Sequence, residues 1–98
     1  MLIKKAKYIK DFIIEATFDN GAVKHYDFRK WLFSDINPMH YKFRKPKNFR
    51  MVKAEYGMIL IGNDEMEFPD YHIHDLEIID YKKGMNASGK NKKTLNLT

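Results

Sequence analysis

Cysteine is missing from this sequence, which excludes a disulfide framework and any thiolate metal site. Serine is nearly missing too, with Ser34 and Ser88 the only two. The five glycines are scattered, so no glycine-rich loop is present to cradle a phosphate. Long hydrophobic runs are also lacking. The longest purely apolar stretch, Met58-Ile59-Leu60-Ile61, falls far short of the ~20 residues that cross a bilayer. Met1-Leu2-Ile3-Lys4-Lys5 lacks the apolar core of ~7–15 residues that marks a secretory signal. These gaps point to a cytoplasmic protein that does not associate with membranes. Nucleophiles are sparse, and no spacing of acids selects an acid–base pair. The chain is therefore expected not to be an enzyme and to need no cofactor.

What the chain does have is aromatic mass and segregated charge. Its 98 residues make one domain with room for one modest core, supplied by seven Phe, six Tyr and one Trp. The net charge is +5, yet residues 1–81 hold 13 basic and 13 acidic side chains. The excess comes from Lys82, Lys83, Lys90, Lys92 and Lys93. Apolar residues almost vanish from Gly84 onward, so the expected organisation is a folded domain over residues 1–83 and a disordered basic tail over 84–98. Inside the balanced part, residues 36–53 carry six basic side chains and no acid, whereas residues 54–81 carry eight acids and no Lys or Arg.

The clearest local signal is Asp19-Asn20-Gly21 between two alternating runs. Read as a two-residue type I′ loop, Asn20-Gly21 pairs Phe18 with Val23 and Thr17 with Lys24. Phe12, Ile14, Ala16, Phe18 and Val23 then share one face, and Ile13, Glu15, Thr17, Lys24 and Tyr26 the other. An earlier strand over Ala6-Lys7-Tyr8-Ile9 pairs back through a turn near Lys10-Asp11. Asp27 is placed to cap a short helix whose Phe28, Trp31 and Leu32 fall at i, i+3 and i+4. Asn37-Pro38 starts another short helical turn. Lys42 to Asn48 reads as a loop, with Pro46 barring a central strand. Phe49–Ala54 and Met58–Ile61 read as strands around a turn at Gly57, and Gly62-Asn63-Asp64 as a turn before Glu65–Phe68. Tyr71–Tyr81 fits helix or strand equally. The expected fold is a small α+β domain, its two hairpin or meander regions forming one antiparallel sheet with short helices covering a face.

The order of these features resembles the domain-of-unknown-function 2442 family of small bacterial proteins. The matching stretches are Phe18-Asp19-Asn20-Gly21, Tyr26-Asp27 leading to Trp31-Leu32, Phe43-Arg44-Lys45-Pro46-Lys47-Asn48-Phe49, Gly57-Met58-Ile59 and Glu67-Phe68-Pro69-Asp70. They cover about residues 12–75 and are turns, caps and core positions. Lys45 stands where the family carries an acid. The resemblance implies a small α+β domain, often encoded beside another small protein in toxin–antitoxin-like pairs. It brings no established active site.

Three clusters are candidate sites. The first is the basic aromatic stretch from His40 to Arg50, with Tyr41, Lys42, Arg44, Lys45, Lys47 and Arg50 as its candidate contacts. Rings interleaved with cations suit single-stranded nucleic acid, where bases stack and cations follow phosphates. Equally, Phe43 and Phe49 would be core anchors and the cations a solvated face. The second is the acidic stretch Asp64–Asp80, able to meet the basic stretch within one molecule or on a partner. The third is Asp70-Tyr71-His72-Ile73-His74-Asp75, where two histidines face one way on a strand and diverge on a helix, an incomplete metal-ligand set. The reading that follows is a non-enzymatic protein-interaction module, antitoxin-like or regulatory, with a protein partner or a second copy as ligand. Nucleic-acid binding through residues 40–50 is the alternative.

Overall fold

A computed structural model describes residues 2–79 and residue 81. The boundary at 83 and the tail 84–98 lie outside the described residues. Six strands form two antiparallel three-stranded sheets. The first has the order β1 (Ile3–Lys10), β2 (Ile13–Phe18), β3 (Val23–Asp27), and the second β4 (Val52–Glu55), β5 (Met58–Ile61), β6 (Met66–Phe68). Helices α1 (Arg29–Leu32) and α2 (Pro46–Phe49) and a 3-10 helix (Pro38–Arg44) lie between the sheets in sequence. Helix α3 (Asp70–Ile73) and a 3-10 turn (His74–Leu76) follow β6.

The α+β class stands, but the two meanders do not merge into one sheet. Strand β1 has register shifts between Ile3 and Lys5 and between Tyr8 and Lys10. Such irregularities bend and over-twist a strand. Beside β4 it makes one main-chain hydrogen bond to the second sheet among the described residues, from Ile3 N–H to Gly57 O (3.1 Å). What unites the sheets is a shared core of Ile14, Phe18, Phe28, Phe49, Ile59 and Ile61, all essentially inaccessible.

The first hairpin shows how one residue of loop length sets a face. Phe18 N–H donates to Ala22 O and Gly21 N–H to Phe18 O, so the loop is Asp19-Asn20-Gly21, three residues long. Asn20 stays at negative φ and only Gly21 (φ +88°) is left-handed, the three-residue turn that ends in a glycine bulge. The register is therefore Thr17↔Val23 and Ile14↔Tyr26, one residue from the expected pairing. That slip exchanges the faces of β3. Tyr26 enters the core and Val23 faces solvent. Burial pushes the Tyr26 hydroxyl up to about 12, with Glu77 and Asp70 adding to the effect.

The type I′ turns lie elsewhere. Asp11-Phe12 (φ +49° and +63°) joins β1 to β2, and Tyr56-Gly57 (φ +55° and +76°) joins β4 to β5. Phe12, expected on the strand, thus sits in the turn, where its side chain is still buried. Tyr56 is different: its ring is 79% exposed and gains no packing in return for a left-handed backbone. Replacing Tyr56 by Asn, the usual residue at this position, is expected to raise stability by about 0.5–1 kcal/mol. A urea midpoint that falls in Tyr56→Asn would argue against this account of the turn.

Three further boundaries move. Lys42–Arg44 and Pro46–Asn48 are helical rather than a loop, the end of the 3-10 helix and the start of α2, separated by an extended Lys45 and with Pro46 at the first position of α2. Phe49 belongs to α2, not to a strand. Tyr71–Leu76 is helical, and the chain then returns to the first sheet, where Glu77 bridges Tyr26.

Candidate functional site

The residues between the sheets present a surface where exposed aromatics and cations meet. Asp27 starts it. Its Oδ1 accepts from Arg29 N–H (2.9 Å), and Arg29 Nη2 donates to its Oδ2 (2.8 Å). These bonds turn the chain from β3 into α1, burying Phe28 and Leu32 as the spacing predicted. Arg29's side-chain hydrogen bond holds the Asp27 carboxyl below its usual range, against a smaller opposing effect of burial. A depressed folded pKa stabilises the fold above the unfolded carboxylate range and loses that contribution as pH falls through the folded value. Stability should therefore fall with acidification below about pH 4, and Asp27→Asn should flatten part of that limb while keeping the Oδ1 acceptor. Parallel pH dependences of the urea midpoint in the two proteins would contradict this role.

Beyond α1, Asn37 Oδ1 accepts from Met39 N–H (2.9 Å) and Pro38 occupies the first helical position. The 3-10 helix then buries Phe43 and leaves Tyr41 and Met39 outside. Arg44 is the pivot. Its Nε donates to Leu32 O (2.7 Å) and its Nη2 to Ser34 O (3.0 Å), closing the otherwise free carbonyl end of α1. Its guanidinium lies 4.2 Å from the Tyr41 ring centroid and 5.4 Å from that of Phe33. Phe33 is 56% exposed and Tyr41 43%, so two rings stand in solvent beside an immobilised cation. Phe33 is fixed in turn by an edge contact with Phe12 (5.7 Å).

The six candidate residues thus separate. Tyr41 and Arg44 form the stacked centre with Phe33, a residue that sequence reasoning missed. Lys42 is spent on Glu65 (2.7 Å). Lys45, Lys47 and Arg50 are exposed on and around α2 and make no ion pair among the described residues. Lys53 pairs with Asp64 (3.1 Å) and Glu55 (3.5 Å). The basic and acidic stretches therefore meet inside one molecule, through the turn Gly62-Asn63-Asp64 and its neighbour Glu65. Such exposed pairs are worth only about 0–1 kcal/mol each.

The other candidates are not assembled. His72 lies in α3 and His74 opens the next 3-10 turn, so the strand arrangement that would align them does not occur. Among the described residues no three His, Asp or Glu side chains are grouped to hold a metal. No described helix is long and apolar enough to cross a membrane. An open cleft of about 590 Å³ lies where β1 and β2 approach β4, lined by Lys5, Lys7, Glu15, Thr17, Val52 and Lys53.

No protein-family model, curated protein or solved structure matches this chain. The residues themselves carry the functional argument.

Proposed function

We propose that the chain is a protein-interaction module whose 33–50 face docks an acidic, apolar-anchored segment of a partner protein. The observation that carries this is the Phe33–Arg44–Tyr41 stack. Aromatic residues, Met and Arg are the side chains enriched at the centres of protein interfaces, and an anchor already held in place loses little entropy on binding. Lys45, Lys47 and Arg50, exposed in the same segment, add positive charge that selects an acidic partner and speeds encounter. The resemblance to a family whose members are often encoded beside another small protein supports the same reading and its antitoxin-like or regulatory cast.

Nucleic acid is the second reading, favoured by three exposed cations, Lys45, Lys47 and Arg50, that make no ion pair among the described residues and follow the exposed Tyr41 closely in sequence. It is the weaker one because Arg44 is held by main-chain carbonyls and Lys42 by Glu65. Glu65 also sets a carboxylate beside Lys42, and that charge repels phosphate. Affinity capture from host extract, with and without nuclease, separates the two. The wild-type chain is expected to retain a specific protein, insensitive to nuclease and weakened by salt. Phe33→Ser/Tyr41→Ala should lose it by about 30-fold or more in affinity, as central interface residues do. Equal capture by the variant would defeat the proposal. A nuclease-sensitive partner whose log affinity falls with log salt at a slope of about 0.7–0.9 per contact would establish the second reading instead.

A further inference from the structure

The outer edge of β3 carries a second surface, distinct from the 33–50 face. In the order β1-β2-β3 this edge has no strand neighbour among the described residues. Ala22 turns its carbonyl inward to Phe18, and main-chain groups alternate along an antiparallel pair, so those of Val23, His25 and Asp27 point outward. The chain's own later segment covers part of this edge. Glu77 bridges Tyr26, and Ile78 N–H donates to His25 O (2.8 Å).

Two side-chain sockets flank these contacts. Lys24 Nζ lies 3.8 Å from Glu77 Oε1. The His25 ring stacks on Tyr81, with centroids 4.0 Å apart and planes 18° from parallel. His25 is only 6% exposed, and its Nε2 donates to Glu15 Oε2 (3.1 Å), which fixes the ring as a flat, oriented platform. The covering segment itself is poorly held. Ile79 is 71% exposed, and the Tyr81 hydroxyl is buried without a partner among the described residues. Glu77 makes a single isolated bridge rather than a full strand, and by Ile79 the chain has already turned away, so the edge is only thinly covered.

We propose that the β3 edge is a strand-docking site which Glu77–Ile78 occupies in the free protein. The partner it fits is an extended segment of another protein, with a carboxylate opposite Lys24 and an aromatic ring over His25. Main-chain bonding to the edge gives affinity, and the two sockets give specificity, as in other strand additions. A second copy of this chain would gain nothing as occupant, since it would exchange one Glu77–Ile78 for an identical one.

The test uses the full chain and a synthetic peptide of residues 76–83, Leu-Glu-Ile-Ile-Asp-Tyr-Lys-Lys. Ile78→Pro in the chain deletes the N–H that reaches His25 and leaves β3 untouched. Added peptide should then produce saturable amide shifts at Lys24, His25 and Tyr26. The wild-type chain should respond at least about tenfold more weakly, because its own segment competes. A peptide carrying Pro in place of the Ile78 residue should not bind. Absence of shifts at β3 in Ile78→Pro, or equal responses of the two chains, overturns the proposal. Should Ile78→Pro fail to fold, Glu77→Lys, which opposes Lys24 with a like charge, takes its place under the same criteria. Hydrogen exchange on the wild type decides independently. The Ile78 amide should exchange at least about tenfold faster than the β2 ladder, and exchange at the same rate as global opening would make the segment an integral strand rather than a displaceable one.

Discussion

Phe49→Ala is expected to cost about 3–5 kcal/mol and to leave the chain marginally folded at best. Phe49 is inaccessible to solvent and touches the rings of Phe12 (5.3 Å), Phe28 (5.5 Å) and Tyr8 (6.1 Å). Those partners come from the first hairpin and the entry to α1, whereas Phe49 closes α2 just before β4. One side chain therefore ties the segment between the sheets to the first sheet. Its removal forfeits the burial and three aromatic contacts, and the α2 backbone can collapse only partly into the space. Against the roughly 5–15 kcal/mol that stabilises a domain of this size, the loss is a large fraction. Phe49→Leu should cost markedly less. Urea unfolding measures both, and a loss under ~1.5 kcal/mol for Phe49→Ala would show that the aromatic cluster is not the keystone described.

Gly62→Ala is expected to destabilise by about 2–5 kcal/mol, and Gly21→Ala by only about 1–2 kcal/mol. Both glycines are left-handed, at φ +66° and +88°, so both substitutions incur the backbone cost. They differ in surroundings. A Cβ at Gly21 meets nothing within 4 Å, whereas one at Gly62 collides with Cε1 and Cζ of the Phe43 ring. Phe43 must move, and it sits between Lys42 and Arg44. The Gly62 variant should accordingly disturb the stacking of Arg44 on Tyr41 as well as lower the urea midpoint. Equal costs for the two substitutions would mean that Phe43 relaxes freely and that the clash carries no weight.

The candidate site was half legible. Tyr41, Lys42, Arg44, Lys45, Lys47 and Arg50 stand out in sequence because the stretch from Lys42 to Lys53 holds six cations with no acid between. Their separation into anchored, paired and free groups did not. Arg44 is defined by carbonyls of Leu32 and Ser34, 12 and 10 residues away, and Lys42 by Glu65, 23 residues away. No local pattern reports such distances. Phe33 was missed because it continues the α1 run of Phe28, Trp31 and Leu32 and reads as core. Its one distinguishing signal is that it falls at i+5 from Phe28, off the stripe that i, i+3 and i+4 define.

The sequence by itself determined the class of fold and the positions of most elements. Alternating runs, Asn-Gly and Asp caps, Asn37-Pro38 and Gly57 act through dihedral preferences and hydrogen bonds within four residues, so they can be read without a partner. The tertiary structure alone decided which face of β3 is buried, whether two meanders share one sheet, and where Phe12 points. A loop of two or three residues differs by little in local energy. What selects three here is that Tyr26 then fills the core opposite Ile14, whereas the two-residue register would turn Val23 inward opposite Phe18. The bulges of β1 likewise cost local regularity and are retained because they let two separate sheets close on one aromatic core. Those choices rest on burial summed across the whole chain, and burial is a property that no window of the sequence contains.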